Sequence, residues 1–102
     1  MQLHPASEPE LRALPADMQA RLLRVADMLE TFGPQRVGMP HVRPLEDKLW
    51  EMRAQGRDGI ARAVYVAQHG RTLTVLHVFV KKTQTTPRAA IETARKRLEA
   101  MR

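Results

Sequence analysis

The sequence predicts an α+β fold in which two N-terminal helices pack on a small antiparallel sheet of three or four strands, followed by a C-terminal helix. Three observations predict it. Apolar runs flank Gln68-His69-Gly70-Arg71, and a glycine in a short polar break between strand-like segments is a hairpin pattern. Apolar stripes at helical spacing stand ahead of this hairpin and again after it. Prolines and a glycine mark the junctions, at Pro9, Pro15, Gly33-Pro34 and Pro87.

Residues 1–6 contain His4-Pro5 and show no period, so they read as a lead-in with at most a short extended piece. Ser7-Glu8-Pro9-Glu10 has capping-box spacing, a hydroxyl at the cap and an acid three residues on, and starts a short helix that buries Leu11 and Leu14. Pro15 opens a longer helix whose Met18, Leu22, Val25, Leu29 and Phe32 form one apolar stripe, read as core. Asp17, Arg21, Arg24, Asp27 and Glu30 occupy its solvated remainder, and Gly33-Pro34 ends it. Residues 33–44, with two glycines and three prolines, read as an ordered connection carrying Arg36, His41 and Arg43.

Residues 45–54 favour helix by propensity, but Leu49, Glu51 and Arg53 alternate with Trp50 and Met52, so the segment reads as a strand. Trp50 is expected under the long helix, and Gly56 and Gly59 turn the chain into Ile60. There Ile60, Arg62, Val64 and Val66 share one face, with Ala61, Ala63, Tyr65 and Ala67 on the other. The next strand sets Leu73, Val75, His77 and Phe79 against Leu76, Val78 and Val80, apolar on both sides as a central strand requires. It leaves through Lys81-Lys82-Thr83-Gln84-Thr85, and Thr86-Pro87 supplies an N-cap and a first-turn proline for the last helix. In that helix Ile91, Ala94, Leu98 and Met101 face inward. Arg88, Arg95, Lys96, Arg97 and Arg102 make the rest basic, either a solvated face or a polyanion-binding one.

A length of 102 residues suits one domain, 1–102. Seventeen Lys and Arg against 11 Asp and Glu give a charge of +6, which favours a polyanionic partner, nucleic acid first, although small domains are often basic without one. No cysteine is present, so disulfides, thiolate ligands and a cysteine nucleophile are excluded. Histidines at 4, 41, 69 and 77 lack ligand spacing, and no metal or other cofactor is expected. With no leader-like start and no apolar run near the ~20 residues of a membrane span, the expected location is the cytoplasm, without a membrane partner.

Four segments carry a family resemblance. They are Gly38-Met39-Pro40-His41-Val42-Arg43-Pro44-Leu45, Leu49-Trp50-Glu51-Met52-Arg53, Gly59-Ile60 with Arg62 and Tyr65, and above all Leu76-His77-Val78-Phe79-Val80-Lys81-Lys82-Thr83-Gln84-Thr85-Thr86-Pro87. Together they resemble the phage-derived toxin-like proteins of the RelE/HigB superfamily. The resemblance implies the toxin of a type II toxin–antitoxin pair, a metal-independent endoribonuclease that cuts mRNA, commonly on the ribosome, through attack of a ribose 2′-OH on the neighbouring phosphate. That chemistry needs cations at the phosphate. Arg53 and Arg62 would form a guanidinium clamp, with Lys81 and Lys82 as mobile ammonium groups. His77 and Glu51 are the candidates for proton transfer; a satisfied core histidine and a Glu51–Arg53 pair within the sheet are the alternatives. Arg43, Arg57, Thr83, Arg88 and Arg95 complete the expected RNA-binding surface. The implied partners are mRNA, the ribosome and a cognate antitoxin with a helix-turn-helix DNA-binding region. The superfamily usually places a strand before the helices, so residues 1–6 are either a shortened strand or an edge for a partner to cover. A ParE-like gyrase inhibitor shares the fold, and a non-catalytic RNA-binding role fits the charge; the clustered Arg53, Arg62, Lys81 and Lys82 favour phosphate chemistry.

Overall fold

A computed structural model describes residues 1–67 and 72–101. The break at Gln68-His69-Gly70-Arg71 and the terminal Arg102 lie outside the described residues. The strands are β1 (Gln2–Leu3), β2 (Val42–Glu46), β3 (Leu49–Gly56), β4 (Gly59–Ala67) and β5 (Leu73–Lys81); the helices are α1 (Ser7–Arg12), α2 (Ala16–Phe32), α3 (Pro34–Val37) and α4 (Arg88–Ala100). They build one five-stranded sheet in the order β1-β5-β4-β3-β2. It is mixed, because β1 runs parallel to β5 while the other pairs are antiparallel. No helix among the described residues is long and apolar enough to cross a membrane.

This corrects the expected arrangement of two helices on an antiparallel sheet of three or four strands with one face partly open. The sheet has five strands, one of them parallel to its neighbour, and α4 packs on the face expected to stay partly open. Each difference has a local cause. Strand β1 is only two residues long, too short to show a period, and pairs Gln2 with Thr74 and Leu3 with Val75. Strand β2 is disguised by Pro44, which an edge strand tolerates because only one of its sides needs pairing. Residues 45–54 therefore hold the end of β2, a turn with Asp47 at φ 51° and the first part of β3. Aspartate is one of the few residues that accept that left-handed conformation.

The larger core lies between α2 and the sheet. Met18, Leu22, Val25, Ala26 and Leu29 meet Met52, Ala61, Ala63, Tyr65, Val75 and Val78, with Leu11 and Leu14 beside them and Trp50 packed against the cluster. Gly56 lets the helix come this close, since a Cβ there would stand 2.6 Å from Met18 Cγ. Phe32 does not join the core as expected: it is 49% exposed, with the Arg36 guanidinium 5.8 Å above its ring. Gly33 at φ 82° ends α2 there, and Pro34 starts α3 in a new direction. The smaller core, Leu49, Val64, Val66, Leu76 and Ala94 with Ile91, Leu98 and Phe79, lies between the other face and α4.

Strand β5 departs from simple alternation. Tyr65 pairs with Val75 but Val64 pairs with His77, so Leu76 is an extra residue, a β-bulge. Val75 and Val78 consequently both face α2, while Leu76 and Phe79 both face α4.

The expected capping box is also replaced. Ser7 is the first residue of α1, its Oγ buried without a partner among the described residues, and ahead of it the Ala6 N–H donates to Nδ1 of His4 at 3.0 Å. Glu10 turns to the sheet instead. Its Oε1 accepts the Val78 N–H at 3.0 Å, Arg97 donates to its two oxygens at 2.8 and 3.1 Å, and His77 Nδ1 lies 3.0 Å from Oε2. Residues 1–6 thus hold the shortened first strand, and one carboxylate ties α1, β5 and α4 together and satisfies a strand N–H beyond the reach of β1.

Burial raises the Glu10 pKa, but Arg97, the Val78 N–H and His77 outweigh it and hold the carboxyl below its ordinary range. A folded-state pKa depressed in this way gives stability that is present above the unfolded value, ~4.3, and is lost as pH falls through the folded one. Glu10→Gln is expected to lose roughly 2 kcal/mol at neutral pH. It should also flatten the loss of stability on acidification, as urea denaturation midpoints across the acid range will show.

Candidate functional site

On the face that carries α4, the register sets Gln55, Ile60 and Lys81 in one row, Arg53, Arg62 and Phe79 in the next, and Glu51, Val64 and His77 in a third. Arg43 of β2 stands opposite Glu51. The sheet therefore gathers Glu51, Arg53, Arg62, His77 and Lys81 onto one face in adjacent rows.

Glu51 is fully buried and both its oxygens are occupied, one by Arg53 Nε at 2.5 Å and the other by Thr86 Oγ1 at 2.5 Å. Thr86 was expected to cap the last helix; the carboxylate takes its hydroxyl, and Pro87 stands at the cap position. Arg53, itself buried, donates from Nη1 to the Gln84 side-chain oxygen at 3.1 Å and from Nη2 to the Gln84 carbonyl. Arg62 is 0% exposed. Its Nη1 donates to the Thr85 carbonyl at 3.0 Å, whereas Nε and Nη2 are buried with no partner among the described residues. Residues 84–86 thus form a strap across two guanidiniums and one carboxylate. Burial lowers the Arg62 pKa, the neighbouring Arg53 and Arg43 push the same way, and Glu51 alone opposes them. Chemically, the cluster offers fixed cationic donors in excess to an oxyanion.

The other expected residues are distributed differently. Lys81, Lys82, Thr83 and Arg57 are exposed, with Thr83 Oγ1 donating to the Thr85 carbonyl at 3.3 Å. Arg88 and Arg95 are engaged in ion pairs: Arg88, still exposed, bonds Glu92 and Glu46, Arg95 bonds Asp47 and Glu46, and together they fasten α4 to the β2–β3 turn. His77 is engaged through Nδ1 with Glu10, and its ring stacks on Phe79 with centroids 5.0 Å apart. Its Nδ1 serves the α1–β5–α4 clasp.

Beside the arginine cluster runs a groove of about 490 Å³, lined by Arg21, Arg24, Val25 and Met28 of α2, by Pro40 and His41, and by Arg53, Ala54, Gln55, Ile60 and Gln84. Arg21 donates to the Gln55 carbonyl at 2.6 Å. The sequence reading had placed Arg21 and Arg24 on the solvated side of the helix. Their spacing of three puts them on one flank, and the stripe from Met18 to Leu29 fixes which flank borders the sheet, a signal that was present but unused.

The family model described as "Phage derived protein Gp49-like (DUF891)" matches residues 9–99. No curated protein matches the chain.

The charge imbalance of the cluster leads to two substitutions of opposite sign. Glu51→Ala removes the single buried counter-charge and is expected to cost on the order of 3 kcal/mol. Arg62→Met keeps the side-chain volume while removing two unpaired donors, and is expected to leave stability unchanged or raise it. Thermal and denaturant melts of the two variants will separate these outcomes; a large loss in Arg62→Met would mark the guanidinium as a structural group.

Proposed function

The chain belongs to the Gp49-like family of phage-derived proteins, and on that premise we propose that it is the toxin of a toxin–antitoxin pair, an mRNA endoribonuclease of the RelE/HigB kind. One observation carries the proposal: Arg62, opposite Arg53 in the register, is wholly buried with two donors that have no partner among the described residues. Unpartnered buried cations cost stability, and folds concentrate such costs at sites that act on charge. In the proposed reaction a ribose 2′-oxygen forms a bond to the adjacent phosphorus as the bond to the 5′-oxygen breaks. The 2′-OH gives up a proton and the leaving oxygen gains one. Arg62 Nε and Nη2, with Arg53, meet the additional negative charge on the phosphate. The Gln84 and Thr85 carbonyls hold these guanidiniums in orientation beforehand, and the strap lifts to admit the phosphate. Glu51, with both oxygens occupied, acts as a counter-ion and not as a base. The exposed Lys81 and Lys82 hold flanking phosphates. The proposed partners are ribosomal mRNA and a small antitoxin, with a helix-turn-helix DNA-binding region, whose carboxylates cover the same cations. The complete cover over Arg62 favours a second reading, in which the chain binds RNA through its exposed cations without cutting it.

Expression of the chain alone is expected to slow bacterial growth and to leave cuts in mRNA that primer extension detects. Arg62→Met should lower the cleavage rate ~100-fold, equivalent to ~3 kcal/mol of transition-state stabilisation. RNA binding by the native chain without cuts would replace this reading by the second. Joint replacement of Lys81 and Lys82 by alanine should weaken RNA binding and reduce its salt slope by roughly one to two. An unchanged slope removes the pair from the phosphate contacts.

A further inference from the structure

We infer that the groove between α2 and β3 seats one unpaired nucleobase of a single-stranded RNA, beside the phosphate held by Arg53 and Arg62; the identity of that phosphate rests on the ribonuclease reading. The groove volume, about 490 Å³, lies within the ~300–1,000 Å³ range of small-ligand sites. Its lining includes Val25, Met28 and Pro40, apolar surface of the kind on which an unstacked ring settles. The rim is cationic and hydrogen-bonding. Arg21 is held in place by the Gln55 carbonyl at 2.6 Å, and Arg24 is exposed at the mouth. Gln84 is oriented by Arg53, which donates to its side-chain oxygen at 3.1 Å and leaves the Gln84 NH₂ as the group free to donate.

Arg53 belongs to both places: it lines the groove and it bonds Glu51 in the buried cluster. A nucleotide with its base in the groove therefore has its phosphate at the Arg53 end. An acidic peptide would satisfy the guanidiniums as well. The side-chain amides of Gln55 and Gln84 and the His41 imidazole add both donors and acceptors, which a base edge uses and a run of carboxylates does not.

The test titrates the full chain with a short labelled single-stranded oligoribonucleotide and with a set in which each position in turn is abasic. The same set is run with Met28→Trp, which fills the groove and leaves Arg53, Arg62 and Glu51 in place. The native chain should lose about tenfold in affinity at one abasic position, the loss of one stacked base. Met28→Trp should bind every member with the same weakened affinity. Should Met28→Trp melt early, Arg24→Trp, an exposed change at the mouth, covers the groove in its stead. Equal affinity for all abasic members, a position effect that persists with the groove filled, or displacement of the RNA from the groove by an acidic peptide that itself loses affinity in Met28→Trp while the RNA does not, overturns the inference. Cuts in cellular mRNA by primer extension together with equal affinities remove the groove alone. A position effect without such cuts in cells keeps the groove and removes the ribonuclease reading, and no RNA binding at low salt removes both.

Discussion

Leu76 is one residue more than β4 can pair with, and its insertion sends the later side chains of β5 to the opposite face from the one simple alternation would give. Without it, Phe79 and Lys81 would point at α2 and the valines at 78 and 80 would fall in the rows of Arg62 and Ile60. With it, α4 receives Leu76 and Phe79 together, and the Leu76 carbonyl accepts Arg97 at 2.9 Å. The same residue brings His77 within reach of Glu10 while Val78 still presents its N–H to that carboxylate. Both charged clusters of the protein thus depend on a single irregularity in β5.

The two clusters use charge in opposite ways. At Glu10, one carboxylate meets an arginine, a histidine and a backbone N–H, and the donors are matched to its oxygens. Such a balanced group stabilises the fold. At Glu51, one carboxylate faces three guanidiniums, and backbone carbonyls from the strap make up only part of the deficit. The excess is what a bound oxyanion would satisfy. It also explains why the strap is short and tethered through Thr86: a looser segment would not keep the arginines in one geometry.

The α2 stripe, the strand alternation through β3 and β4, and the meeting of Arg53 with Arg62 were all legible in the sequence, because each rests on local periodicity. What escaped it was governed by long-range pairing. A two-residue strand carries no pattern, and Pro44 and Asp47 conceal a hairpin that only an edge position makes permissible. The bulge at Leu76 leaves an unbroken apolar run, so nothing in residues 73–80 announces the exchange of faces. Glu10 and Thr86 carried capping signals and were diverted by stronger partners, since a charge-assisted bond to the half-buried Arg97 guanidinium or to the buried Glu51 carboxylate outweighs a cap. Arg88 and Arg95 read as a basic face until Glu46 and Asp47, over forty residues earlier, were brought beside them.

The Glu10 carboxylate on the Val78 N–H has a bearing on how copies of this chain behave when crowded. A sheet is vulnerable to accretion where an outer strand shows an unbroken ladder of amides to a newcomer. Here β1 occupies part of the outer side of β5, and the next available amide is occupied by a charged side chain. At the far side, β2 interrupts its own ladder with Pro44 and with the register shift between Pro44 and Glu46. Both margins of the sheet are therefore poor templates for intermolecular β-pairing, so that a basic protein whose β5 is strongly apolar can accumulate without seeding fibrils.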